Sequence, residues 1–151
     1  MTPKIVEFER MWAVGLGRVF DQSTLAEIPK LWDEFVPRMA EVSRASDLSF
    51  GVEFDADGPP GSFRYIAAMQ ANEDAPPPEG MEAHEIPAGK YLVYTHKGPL
   101  STFAATCSRV YRELFPNSGH TWGKGPNFEL YDQRFKPESE QCEIDICIPV
   151  A

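Results

Sequence analysis

Glu129 and Tyr131 stand two residues apart in the stretch Gly125-Pro126-Asn127-Phe128-Glu129-Leu130-Tyr131-Asp132. Gly-Pro marks a turn, and the alternation after it reads as a strand, with Phe128 and Leu130 on one face and Glu129 and Tyr131 on the other. The apolar face is expected to pack under a helix. A carboxylate beside a phenol then has three uses. In an aromatic hollow it receives a cation. Buried with a raised pKa, it activates water as a general base. On an open face it is a solvated acid or a partner for Arg134 or Arg64. Glu143 and Asp145 repeat the two-residue spacing near the C-terminus, opposite Cys142, Ile144, Ile146 and Ile148.

The elements that would position these groups fall into two similar halves. Residues 4–20 read as one strand, with Gly15 or Gly17 as a bulge or bend. Thr24-Leu25-Ala26-Glu27 has capping-box spacing, and Ile28, Leu31, Trp32, Phe35 and Met39 follow at helical intervals until Pro37 ends the regular part. Residues 48–54 and 62–71 form a hairpin around the turn at 55–61, with Phe63, Tyr65, Ala67 and Met69 on one face. Residues 72–80, with three consecutive prolines, read as a linker. Strands at 81–86 and 90–96 follow. Ser101 opens a helix whose stripe is Phe103, Cys107, Val110, Tyr111 and Leu114. The strand carrying Glu129 and a last strand at 141–150 complete the chain. The reading is one domain over 1–151, made of pseudo-repeats 1–71 and 81–151, with helices at 25–44 and 101–115. The fold class is α+β: duplicated strand-helix-strand-strand units in one curved antiparallel sheet, two helices on one face and a ligand pocket on the other.

Composition narrows the partners. The chain has 151 residues, 42% apolar and 12% aromatic, with 23 acids against 14 bases and a net charge of −9. That balance disfavours nucleic-acid backbones and anionic membranes and is compatible with a cationic ligand. No apolar run approaches the roughly 20 residues that span a bilayer. Cys142 and Cys147, five apart, point to opposite faces of one strand, and three cysteines read as buried thiols in a reducing cytoplasm. His84, His96 and His120 lack metal-ligand spacing. The glycines at 15 and 17 lack the frame of a phosphate loop, so no metal or cofactor is expected.

Taken in order, several pieces resemble the gyrase-inhibitor-like small-molecule-binding domains, which are also the effector-binding domains of multidrug-responsive transcription regulators. They are Ile28-Pro29-Lys30-Leu31-Trp32 with Phe35, then Phe50-Gly51-Val52, then Ile86-Pro87-Ala88-Gly89-Lys90-Tyr91 with His96-Lys97-Gly98-Pro99. Tyr111 to Pro116, Phe128-Glu129-Leu130-Tyr131 and Glu143 to Pro149 complete the match over nearly the whole chain. The resemblance implies a pocket on the face away from the helices. It assigns the acid that meets a ligand cation to Glu129 and a second pocket acid to Glu143. Asp145 joins them as a candidate, and Tyr131, Tyr91, Tyr65 and Trp122 are candidate aromatic walls. Trp12 and Phe50 are weaker candidates.

The expected function is therefore binding of a cationic, aromatic or amphipathic small molecule in the cytoplasm. No helix-turn-helix motif is read ahead of the domain, so direct DNA binding is not expected. The family also implies two alternatives: hydrolysis of strained, cyclopropane-containing electrophiles, and engagement of a protein partner as in the gyrase inhibitors. No Ser-His-Asp or Cys-His arrangement can be read from spacing.

Overall fold

A computed structural model describes residues 1–55 and 58–151. The strands are β1 (Lys4–Phe8), β2 (Met11–Phe20), β3 (Arg44–Asp55), β4 (Phe63–Ala71), β5 (Glu82–Ile86), β6 (Gly89–Lys97), β7 (Asn127–Tyr131) and β8 (Glu143–Pro149). The α-helices are α1 (Ile28–Phe35) and α2 (Phe103–Arg109). The turn expected at 55–61 lies partly outside the described residues, at 56 and 57.

The chain forms two compact units, Met1–Glu9 with Ala88–Ala151, and Arg10–Pro87. The first contains an antiparallel sheet in the order β1-β6-β8-β7 and carries α2; the second contains β3-β4-β2-β5 and carries α1. Each holds the expected strand, helix, strand, strand: β6-α2-β7-β8 and β2-α1-β3-β4. The unit boundaries fall at residues 9/10 and 87/88 instead of in the proline-rich segment, because residues 4–20 are two strands. β1 pairs with β6 of the first unit, whereas β2 pairs with β4 and β5 of the second.

Apolar stripes explain each unit. In the second, Leu31 and Phe35 of α1 pack with Ile28, Trp32 and Met39 on Tyr65, Ala67 and Met69 of β4. In the first, Phe103, Cys107, Val110, Tyr111 and Leu114 pack on Leu92 and Tyr94 of β6 and on Ile144, Ile146 and Ile148 of β8. Burying each large side chain contributes about 1.5–3 kcal/mol. These are the stripes read from helical and strand spacing.

The local details differ in four places. β2 has no bulge; its ladder to β4 runs unbroken through Gly15 and Gly17, and the irregularity lies in β3, between Arg44 and Ser49. A Cβ on Gly15 would stand 1.8 Å from the Ala67 carbonyl oxygen, so the glycine serves close backbone approach. Regular α-helix covers only Ile28–Phe35 of the expected 25–44: a 3-10 turn runs on through Pro37, and Arg44 already belongs to β3. The capping box does not form, because the Thr24 hydroxyl accepts from the Asp21 amide at 2.8 Å. Ser101 lies inside a 3-10 turn instead of capping, and α2 runs into a π-helical turn at Val110–Leu114.

Candidate ligand-binding site

The register of β7 on β8 fixes which way each side chain faces. Glu129 is opposite Ile146, Phe128 opposite Cys147, and Leu130 opposite Asp145. Directly opposed residues share a face. Ile146 belongs to the core packed by Phe103 and Val110, so Glu129 and Tyr131 face the helix side of this sheet. This corrects two expectations. Phe128 and Leu130 do not pack under the helix; Phe128 meets Phe8 and Tyr91 edge-on, at 5.7 and 5.4 Å between ring centroids, on the other face. Glu129 and Glu143 do not share a face either, since Glu143 lies with Asp145 and Phe128. Both faces of β7 are buried, so its alternation carries no signal of which face meets the helix.

The helix-side row along β7 is Asn127, Glu129 and Tyr131. Glu129 is only 9% exposed. The Tyr131 hydroxyl donates to its Oε1 at 2.7 Å, a charge-assisted bond to the carboxylate. Tyr131 also meets Phe135 edge-on, ring centroids 5.1 Å apart. Asn127 Nδ2 donates to the Tyr111 hydroxyl at 2.8 Å, which pins the π-helical turn over the start of β7. Trp122, 51% exposed, lies parallel to the Tyr111 ring at 6.2 Å and tilted against Phe115 at 5.1 Å. Its place is fixed by a bridge to Val150 and by the Gly123 amide donating to the Pro149 carbonyl at 2.8 Å. Asn127 and Tyr111 were missed in the sequence; the signal for Asn127 is its place one strand period before Glu129.

The other two acids have a different setting. Arg134 reaches Asp132 at 2.9 Å, Asp145 at 2.7 Å and Glu143 at 3.6 Å, and the Thr95 hydroxyl donates to Asp145 at 2.7 Å. Hydrogen bonding to Asp132, opposed by burial and reinforced by Asp145, raises the Arg134 pKa further above its ordinary value. Burial pushes the Asp132 carboxyl up, but its bonds from Arg134 outweigh burial and hold it below the usual carboxylate range. Glu143 and Asp145 thus already face a resident cation. Arg64, the other base considered for Glu129, instead holds Glu82, which also meets His84 at 2.8 Å.

The remaining candidates are dispersed. Tyr91 is buried between Phe8 and Phe128 on the face away from α2. Tyr65, 1% exposed, belongs to the core of the second unit, where its hydroxyl accepts from Trp32 Nε1 at 2.9 Å. Within the first unit, the structure joins Glu129 with Tyr131 and separates them from Glu143, Asp145 and Tyr91. Among the described residues, no group of His, Cys, Asp or Glu has a metal-holding arrangement, and no helix is long and apolar enough to cross a membrane.

The helix-bearing face of the first unit thus carries a row of acid, phenol and amide at Glu129, Tyr131 and Asn127. The sequence pattern of the GyrI-like small molecule binding domain matches residues 1–151, and the chain belongs to that family. It is 34% identical over 151 residues to the transcriptional regulator BrlR of Pseudomonas aeruginosa, covering 99% of this chain and 56% of the regulator. The chain therefore spans little more than half of that relative. It is 30% identical over 107 residues to the probable transcriptional regulator YgiV of Escherichia coli K12, covering 68% of this chain and 67% of that one. Among solved structures, SAV2435 bound to tetraphenylphosphonium has the same fold, with a TM-score of 0.82, 16% identity, and coverage of 100% of this chain and 94% of that one. The α+β class read from the sequence is thus the observed one.

Proposed function

We propose that this GyrI-like domain binds a lipophilic organic cation on the helix-side face of its first unit, with Glu129 as the counter-charge and Tyr131 holding that carboxylate in place. The observation that carries the reading is the burial of Glu129 with the Tyr131 hydroxyl 2.7 Å from it. A unit charge 4 Å from a carboxylate gains about 1 kcal/mol in water and about 4 kcal/mol at the effective dielectric of a protein site. A shielded acid therefore selects a cation best, and among the three acids proposed for the site Glu129 is the most buried. The aromatic groups supply apolar and cation–π contact, Tyr131 directly and Trp122 as the most exposed ring of the first unit's aromatic set. The bound cation of SAV2435, which shares this fold, supports the same ligand class here. With a net charge of −9 the domain offers duplex DNA little electrostatic hold, and three cysteines, two of them fully buried, fit a reducing cytoplasm.

The test is calorimetry with tetraphenylphosphonium and the neutral triphenylphosphine oxide on the parent chain and on Glu129→Gln. The substitution keeps the shape and removes the charge. Cation affinity should fall by about 2–5 kcal/mol, roughly 30-fold to several thousand-fold, with little change for the neutral compound. Equal losses for both ligands would show that Glu129 shapes the site without reading charge.

A further inference from the structure

A cleft of about 360 Å³ opens within the first unit, beside β1 and β6. Small-molecule sites occupy roughly 300–1,000 Å³. Strand β8 stands between β6 and the strand that carries Glu129. Ile5 of β1 is opposite Leu92 of β6, so the two share a face. That face is the helix side, because Leu92 and Tyr94 pack in the core under α2. Leu92 and Tyr94, both nearly fully buried, form the floor of the cleft, and Ile5 and Leu114 flank it. Its polar residues are Ser118, half-buried, and His120, exposed. We infer that this cleft binds a small amphiphilic anion, with the apolar body over Leu92, Tyr94 and Ile5 and a carboxylate at the His120 imidazole.

Three features favour this ligand class. The floor asks only for apolar contact, since its polar atoms are already satisfied. Tyr94 hydrogen-bonds Ser118, and burial holds its phenol above the ordinary pKa, so it stays neutral. The Ser118 hydroxyl donates to the Phe115 carbonyl at 2.7 Å and accepts from the His120 amide at 3.1 Å. With Gly119 in the left-handed region at φ 82°, these bonds fix the loop that brings His120 to the cleft. The second feature is His120 itself, whose imidazole has no partner among the described residues. An imidazole N–H donates to a carboxylate in a charge-assisted bond. The third is charge. In a chain with 23 acids against 14 bases, no acid is among the described residues that line this cleft. Glu7, the next acid on this face of β1, stands opposite Lys90. A cation here would meet no counter-charge, whereas a carboxylate meets a donor. Ile5, 46% exposed, supplies the uncovered apolar surface that a ligand body would bury.

The inference is independent of the cation-binding reading above. Octanoate and its neutral counterpart 1-octanol are titrated into the full chain, His120→Leu, His120→Gln and Ile5→Glu, and binding is followed through backbone amide resonances. Each variant is first checked for a cooperative thermal transition. In the parent, octanoate should saturate and shift the resonances of Ile5, Leu92, Leu114 and His120. His120→Leu keeps bulk and removes the donor, so octanoate should weaken about tenfold or more while 1-octanol is unchanged. His120→Gln restores a donor and should recover most of the octanoate affinity. Ile5→Glu sets a charge beside the apolar body and should weaken both ligands. No saturable octanoate binding by the parent, or shifts confined to residues away from the cleft, overturns the inference. Parent-like octanoate binding by His120→Leu, or equal loss of both ligands in that variant, also overturns it.

Discussion

Replacing Arg134 with Gln should cost stability without touching the proposed site. Three carboxylates, those of Asp132, Asp145 and Glu143, lie within 3.6 Å of this guanidinium. Removing one partner of a fully buried ion pair costs about 3–5 kcal/mol, whereas an exposed pair contributes about 0–1 kcal/mol. Arg134 is 28% exposed and Asp145 13%, so a discounted loss of ~2–3 kcal/mol is expected. At about 2–4 °C per kcal/mol for a chain of this size, Tm should fall by about 4–12 °C at neutral pH. The pH dependence has a definite sign. Asp132 has a folded pKa below its unfolded value. Its stabilisation is therefore fully present above the unfolded value of about 3.9 and is lost as pH falls through the folded one. The gap between parent and Arg134→Gln should shrink below about pH 4. Thermal denaturation followed by circular dichroism from pH 7 down to acid measures both quantities. Equal melting at neutral pH, or a gap that stays constant into acid, would refute the reasoning. Tetraphenylphosphonium affinity should not move, because this cluster lies on the face away from Glu129.

Two further outcomes follow from packing and burial. Gly15→Ala places a methyl 1.8 Å from the Ala67 carbonyl oxygen and should cost about 3 kcal/mol or more, since backbone must move; an unchanged urea midpoint would contradict this. In native protein near pH 8, a thiol reagent should modify Cys107 quickly and spare Cys142 and Cys147, both fully buried. Burial, aided by Asp145, raises the Cys147 thiol well above its ordinary value. Fast native labelling of all three thiols would overturn that assignment.

Much of the fold was legible because its helices and β8 are amphipathic. The stripe from Ile28 to Met39 and the set Cys142, Ile144, Ile146 and Ile148 were read from period alone, and both sets pack in the two cores. The site was half legible. Two-residue spacing put Glu129 with Tyr131, and the hydroxyl does bond the carboxylate. Which face they occupy was not readable, because Phe128 is as buried on one face as Glu129 nearly is on the other. Only the pairing of Glu129 with Ile146 decides it, and that pairing depends on residues 17 positions apart in the chain. Arg134 withdraws Glu143 and Asp145 from the set of shielded acids by a contact that composition cannot reveal. The division at residues 9/10 was hidden because β1 and β2 read as one alternating run, although their hydrogen-bond partners differ.

The most direct measurement is a crystal of the domain with tetraphenylarsonium, in which anomalous scattering marks the position of the cation. An arsenic peak is expected on the helix-side face, against Glu129 and Tyr131. A peak on the opposite face beside Asp145 and Arg134, or any position removed from Glu129, would contradict it.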